Sequence, residues 1–555
     1  MLGRSFHRNA TWLLCCGTVA LAACGSGTNR DAVAILGGAG STPTGVASTS
    51  TTAGTASAAA AGSGTAASAA GTSAIGGMAV GGDAQGTSGS SATAGVGGGA
   101  ARIPAGAAGS GGSAGATAEA GSSGASAGGG GGGAEATPPV PFEGEGMPWT
   151  AAAPRATCAE NDQKDGSLSG LSEDLRCNLE VVGQVEAPHF LSLAWHKECA
   201  YVNGPDGTTV IQVAADGKPT VTTTLTEVRF RSNWESMKAN ATSGLMSGYE
   251  ANGSLLTTYD LNHDCAKPEL ASSLRLDGAL STSIGHAGSF SPDGTIYYAS
   301  SMYTGEVFAV DLANPKAPKL ITTAFEAGAH DLYIGKNGTR GYFAVPDVVT
   351  QALGVGSFAV MDLTQVQARA AAAKGTKISE LTWEDGSTSQ YPILLSYRGK
   401  DYLMINDELG SGVCTDPAKP QWGYARIFDM SDEKKPKLVS LIKTEAHEPK
   451  NCEAAGMAEG GTGGFGVGTH YCNVDRLEDP RLLSCGIQAG GVRIYDIRNP
   501  WRPKELAYFS KVNEAVPGLQ RIYIEKRELW LATQPGTFYV LKFPPGSPID
   551  QILSE

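Results

Sequence analysis

One phrase recurs through the C-terminal part of this 555-residue chain and restricts its possible folds more than any other feature. "GVRIYDIRNPWRPKELAYF" at 491–509 and "VFAVDLANPKAPKLITTAF" at 307–325 both alternate apolar residues up to an Asp, turn, and place a Pro seven residues after that Asp. The same spacing, within one residue, sets Gln212 before Pro219, Asp260 before Pro268 and Asp429 before Pro436. A degenerate copy surrounds Asp362, and "GTFYVLKFPP" at 536–545 is the last, which makes seven.

A second pattern precedes the refrain, clearest in "HAGSFSPDGTIYYAS" from His286 and "HDLYIGKNGTRGYFAV" from His330. Asp-Gly and Asn-Gly accept the positive φ of tight hairpins, and the flanking alternation has the period of half-buried strands. Each repeat therefore reads as three strands, with the apolar tail after the Pro as a fourth. Four antiparallel strands recurring every 45 to 65 residues or so form the unit of a β-propeller. The expected fold is all-β, a seven-bladed propeller over 150–550. Its blades start near His189, Asn233, His286, His330, Tyr391, His470 and Gly518.

The remainder of the chain has another character. Residues 24–140 are almost wholly Gly, Ala, Ser and Thr, too poor in apolar side chains to offset the entropy of ordering, so a disordered tether is expected. As a flexible coil it would span roughly 60 Å. Before it, Arg4, His7 and Arg8 lead into an apolar run at 11–23 that is shorter than a membrane span of about 20 residues, as in a signal peptide over 1–23. The formal net charge of −13 excludes a basic nucleic-acid-binding face.

Two resemblances follow from these motifs. "LAAC" ending at Cys24 resembles the lipobox of bacterial lipoproteins, which implies acylation of Cys24, and Gly25 after it implies transport to the outer membrane or cell surface. The refrain resembles the LVIVD-repeat propellers, exported bacterial proteins named for such strands; this implies fold and envelope localisation but no reaction. "HAGSFSPDG" is similar to the selenium-binding proteins only as a generic propeller hairpin, and their longer motifs are absent.

Eight cysteines remain for an oxidising compartment, so disulfides are expected. The expected pairs are Cys158–Cys177, Cys199–Cys265, Cys414–Cys452 and Cys472–Cys485; the third would clip two long insertions in blades five and six. No Cys-x-x-Cys suggests a zinc ribbon or redox motif.

His189, His286 and His330 share one repeat position, and His470 holds it in blade six, while His447 precedes that blade's inserted loop. Repeat-equivalent residues lie on a circle about the propeller axis, so these imidazoles could converge at one channel mouth, where copper, zinc or nickel would be the fitting ligand. Alternatively, the rings recur because each hydrogen-bonds a neighbouring blade. No nucleophile elbow, zincin helix or phosphate-cradling loop occurs in the domain. Two functions stand open. The preferred one is a monomeric, non-enzymatic envelope lipoprotein whose propeller binds a protein or polysaccharide partner. The alternative is a copper- or zinc-dependent oxidoreductase or hydrolase using the histidine ring.

Overall fold

The computed structural model describes residues 140–162, 174–188, 192–226, 230, 233–251, 253–276, 285–301, 304–345, 355–385, 388–408, 423–451, 468–488 and 490–555. The signal-peptide, lipidation and tether expectations, together with His189, Cys414 and Cys452, lie outside them.

Seven antiparallel sheets form the seven blades of a propeller. Blade one contains Leu193–His196, Cys199–Gly204, Gly207–Val213 and Pro219–Leu225. Blades two to six occupy 238–275, 285–322, 332–383, 389–442 and 469–510, each pairing its strands in chain order. From blade one to blade seven, the first strand of each blade lies against the first strand of the next, so first strands line the axis. Every expected blade start falls within five residues of an observed first strand.

Apolar residues from facing sheets fill the spaces between blades. Ile211 and Val213 of blade one meet Trp530 and Phe538 of blade seven. Tyr298 of blade three meets Phe343 of blade four, and comparable layers separate the other neighbours. Because each blade hides both faces against its neighbours, a single blade has no core of its own.

The refrain proves to be the link from third to fourth strand. Asp260, Asp311, Asp362, Asp429 and Asp496 each end a third strand, and each Oδ1 accepts the backbone N–H two residues on, at 2.8–3.0 Å. This Asx turn reverses the chain into the outer strand. Gln212 breaks the pattern because its longer side chain does not form the short Asx ring. Each third–fourth pairing also carries a register irregularity, for example between Ile427 and Phe428, that adds twist at the blade rim. Asp429→Ala should cost about 1 kcal/mol through loss of one such bond, read as a lower urea midpoint with unchanged slope.

Blade seven departs from the expectation that each repeat supplies its own fourth strand. Arg521–Tyr523, Glu528–Thr533 and Thr537–Lys542 are its first three, but Glu180–Glu186, from before blade one, pairs as the outer strand. After Lys542 the chain reads "FPPGSP", and prolines lacking an N–H cannot continue a ladder, so it turns into the helix Pro548–Ser554. The ring is thereby closed by its own N-terminal strand. Leu175–Cys177, one step earlier, adds a fifth strand to blade six.

Three of the expected disulfides join described residues. Cys158–Cys177 fastens the segment before the blades, Cys472–Cys485 links directly opposed residues of blade six, and Cys199–Cys265 ties blade one to the turn after the third strand of blade two. Cys199–Cys265 encloses the longest loop, with a separation of 66 residues. Its removal by a double Ala substitution should cost about 4 kcal/mol on loop-entropy grounds, measured as a fall in thermal midpoint against wild type.

Candidate functional site

Five side chains meet where the first strands converge. His286 is the second residue of Gly285–Phe290, His470 the second of Thr469–Val474, and His330 lies two residues before Leu332–Gly335. Glu235 occupies the turn before Lys238–Asn240 of blade two, and Glu408 follows directly on Lys400–Asp407 of blade five.

Their polar atoms form a closed circuit. His330 Nε2 is 2.7 Å from His286 Nε2, which is 3.1 Å from Glu235 Oε2. Glu235 Oε1 is 3.0 Å from His470 Nε2; this nitrogen is 3.2 Å from Glu408 Oε1, and Glu408 Oε2 is 3.5 Å from His330 Nε2. Glu235, His286 and His470 are essentially buried, while His330 and Glu408 keep about a tenth of their side-chain surface exposed (10% and 9%) and so border the opening.

Proximity here is not the same as hydrogen bonding. Both Glu235 oxygens lie 3.0–3.1 Å from imidazole nitrogens, yet neither has an aligned hydrogen-bond donor among the described residues. That combination leaves both Glu235 oxygens available to a cation. Donors bound to one ion at about 2.1 Å stand about 3.0 Å apart at a right angle and about 3.4 Å apart at the tetrahedral angle, close to all but the 2.7 Å His286–His330 contact of the circuit.

The electrostatics have the same origin. Burial raises the Glu235 carboxyl, but His286 and His470 outweigh it and hold the acid well below its usual range. Burial likewise disfavours the charged form of His470, yet the adjacent Glu235 and Glu408 carboxylates take its pKa up to about 10. His286, despite burial, is raised by Glu235. His330, buried and beside His286, falls to about 4. Without a cation, protons on His286 and His470 therefore offset the buried Glu235 carboxylate. His470 Nδ1 contacts the Pro517 carbonyl, which fixes the ring and turns Nε2 inward, as for a metal-ligating imidazole.

A second layer supports the first from the alternate residues. Tyr471 donates to Asp331 Oδ2 at 2.6 Å, Lys238 Nζ lies 3.6 Å from the same oxygen, and that ammonium sits 5.0 Å and 5.3 Å from the ring centres of Tyr471 and Tyr391. Trp234 packs edge-on against His286 and is held at φ 45°, a strained value for a bulky residue beside a site.

The structure brings His286, His330 and His470 together and leaves His447 apart. His447 closes the turn Glu445–His447, where its Nδ1 accepts the Thr444 N–H at 3.0 Å and its ring meets Tyr424. Its expected place in the ring is thus corrected: the residue caps a turn. Two acids were missed. Glu235 lies three residues before its first strand and His330 two before its own, while Gln390 is second in its first strand as His286 and His470 are in theirs, so scanning all polar residues around each blade start would have found it. Glu408 comes from the end of a second strand, where the repeat gives no signal.

No family model matches the sequence, and no curated relative does. Many solved structures share the architecture. They include a hypothetical selenium-binding protein from Sulfolobus tokodaii (14% identity, 61% of this chain and 83% of that one, TM-score 0.44). The periplasmic gluconolactonase of Pseudomonas aeruginosa is another (11%, 58% and 86%, 0.40), as is hydrazine synthase of Kuenenia stuttgartiensis (10%, 68% and 96%, 0.42). At such values the likenesses carry no argument about chemistry, and the seven sheets define the fold by themselves.

Proposed function

We propose that this protein is a metal-dependent catalyst of the bacterial cell envelope, an LVIVD-type propeller lipidated at Cys24 and tethered by residues 24–140. Its transition-metal centre is the circuit of Glu235, His286, His330, Glu408 and His470. The observation that carries this reading is the convergence of three imidazole Nε2 atoms and two buried carboxylates with spacings suited to shared coordination. Neutral imidazoles and carboxylates, with no thiolate, suit zinc, copper(II), nickel, iron or manganese. Small molecules would reach the centre from the side where His330 and Glu408 remain partly exposed. Copper would direct it to redox chemistry and zinc to hydrolysis.

The test is elemental analysis of the full-length protein purified without a polyhistidine tag. At least one equivalent of a transition metal, retained through dialysis and diminished in a variant lacking both His286 and His330, is expected. Less than about a tenth of an equivalent after reconstitution would sink the proposal. Partner binding by the propeller is the second reading. Pull-down from envelope or polysaccharide fractions separates the two, since a captured partner with no bound metal supports only the second.

A further inference from the structure

We infer that the centre is built for two metal ions bridged by Glu235 and Glu408, rather than for one. This pairing rests on the metal reading proposed above.

The donors fall into two compact triads that share Glu235. One is Glu235, His286 and His330; the other is Glu235, Glu408 and His470; within each, the donor atoms lie no more than 4.8 Å apart. The carboxylates divide their oxygens between the two. Glu235 turns Oε2 to His286 and Oε1 to His470, and Glu408 turns Oε2 to His330 and Oε1 to His470. A carboxylate that chelates one ion offers both oxygens to it, whereas a bridging carboxylate separates them between neighbours.

Donor number points the same way. Three imidazole nitrogens and four carboxylate oxygens make seven donors, more than the four to six a first-row divalent ion accepts. Divided, they give one ion His286, His330 and an oxygen from each Glu, and the other His470 with the remaining two oxygens. The second set is the poorer and keeps positions for exogenous ligands. Carboxylate-bridged pairs of this kind hold their ions about 3.5–4 Å apart, close enough for one small molecule to span both.

Charge sets the class of that molecule. Two divalent ions against two carboxylates leave a net positive centre, because the Asp331 charge nearby already faces Lys238. The exogenous ligand is therefore an oxyanion, bound across both ions.

Stoichiometry and magnetic coupling decide the matter. Full-length protein, stripped by chelator and titrated with Zn2+, should bind two equivalents tightly, with circular dichroism confirming the fold. His470→Ala should keep one, His286→Ala should keep one, and Glu235→Ala should bind neither tightly. Loaded with Cu2+, wild type should lose much of its EPR signal at the second equivalent through spin coupling, while His470→Ala shows an ordinary isolated copper spectrum. Saturation at one Zn2+, or two copper ions without coupling, overturns the paired centre but leaves a mononuclear one standing. Binding of none overturns both.

Discussion

Asp407→Ala is expected to lower the unfolding free energy by about 3–5 kcal/mol, the usual cost of stranding one partner of a buried ion pair. Asp407 is fully buried, and its Oδ2 accepts from Arg426 Nη2 at 2.8 Å and Nε at 3.2 Å, and from Trp383 Nε1 at 3.1 Å. Arg426 is itself almost fully enclosed, with its guanidinium between the rings of Trp383 and Tyr424 at 4.9 Å and 4.6 Å. Its other carboxylate, Asp385, has a side chain 59% exposed and cannot replace the lost partner, because solvent screens that pair. Urea unfolding of the single variant should show the large loss. Asp407→Ala combined with Arg426→Met should recover part of it, since the stranded charge is gone. A loss below about 1 kcal/mol for the single variant, or no recovery in the double, would show that the pair is not what holds this end of blade five.

The same pair explains part of what the sequence conceals. Alternation, Asp-Gly and Asn-Gly hairpins, and the Asp-to-Pro spacing are local signals, and they place seven first strands because strand period and turn chemistry are set by neighbours in the chain. Ring closure is not local: Glu180–Glu186 joins Thr537–Lys542 across more than 350 positions, and nothing in "EVVGQVE" names its partner. The site divides likewise. His286, His330 and His470 were legible because the repeat maps one sequence position onto one circle, and Glu235 lies two residues from that position. Glu408 reaches the circle only because Lys400–Asp407 runs on past the blade edge, anchored one residue earlier by Asp407 on Arg426. His447 misled because a histidine near a blade boundary looks alike whether it faces the axis or caps a turn.

Glu235→Ala should abolish the stabilisation conferred by metal, a difference of about 4 kcal/mol when the free ion exceeds its dissociation constant a thousandfold. An ion that binds the folded ring and not the unfolded chain stabilises the fold by mass action, and Glu235, the more deeply buried of the two acids, contacts histidines of both triads. Without metal the carboxylate serves another purpose. It offsets protonated imidazoles in a buried site, so its loss there is softened when His286 and His470 shed their protons. Metal-dependent and metal-independent stability should therefore separate: in chelator the variant melts near wild type, and with Zn2+ only wild type shifts upward. For a wild-type thermal midpoint that rises with Zn2+ and a variant that rises equally, the ion must bind elsewhere. If instead the variant falls by the same amount with and without metal, Glu235 is a structural partner of the histidines and not a ligand.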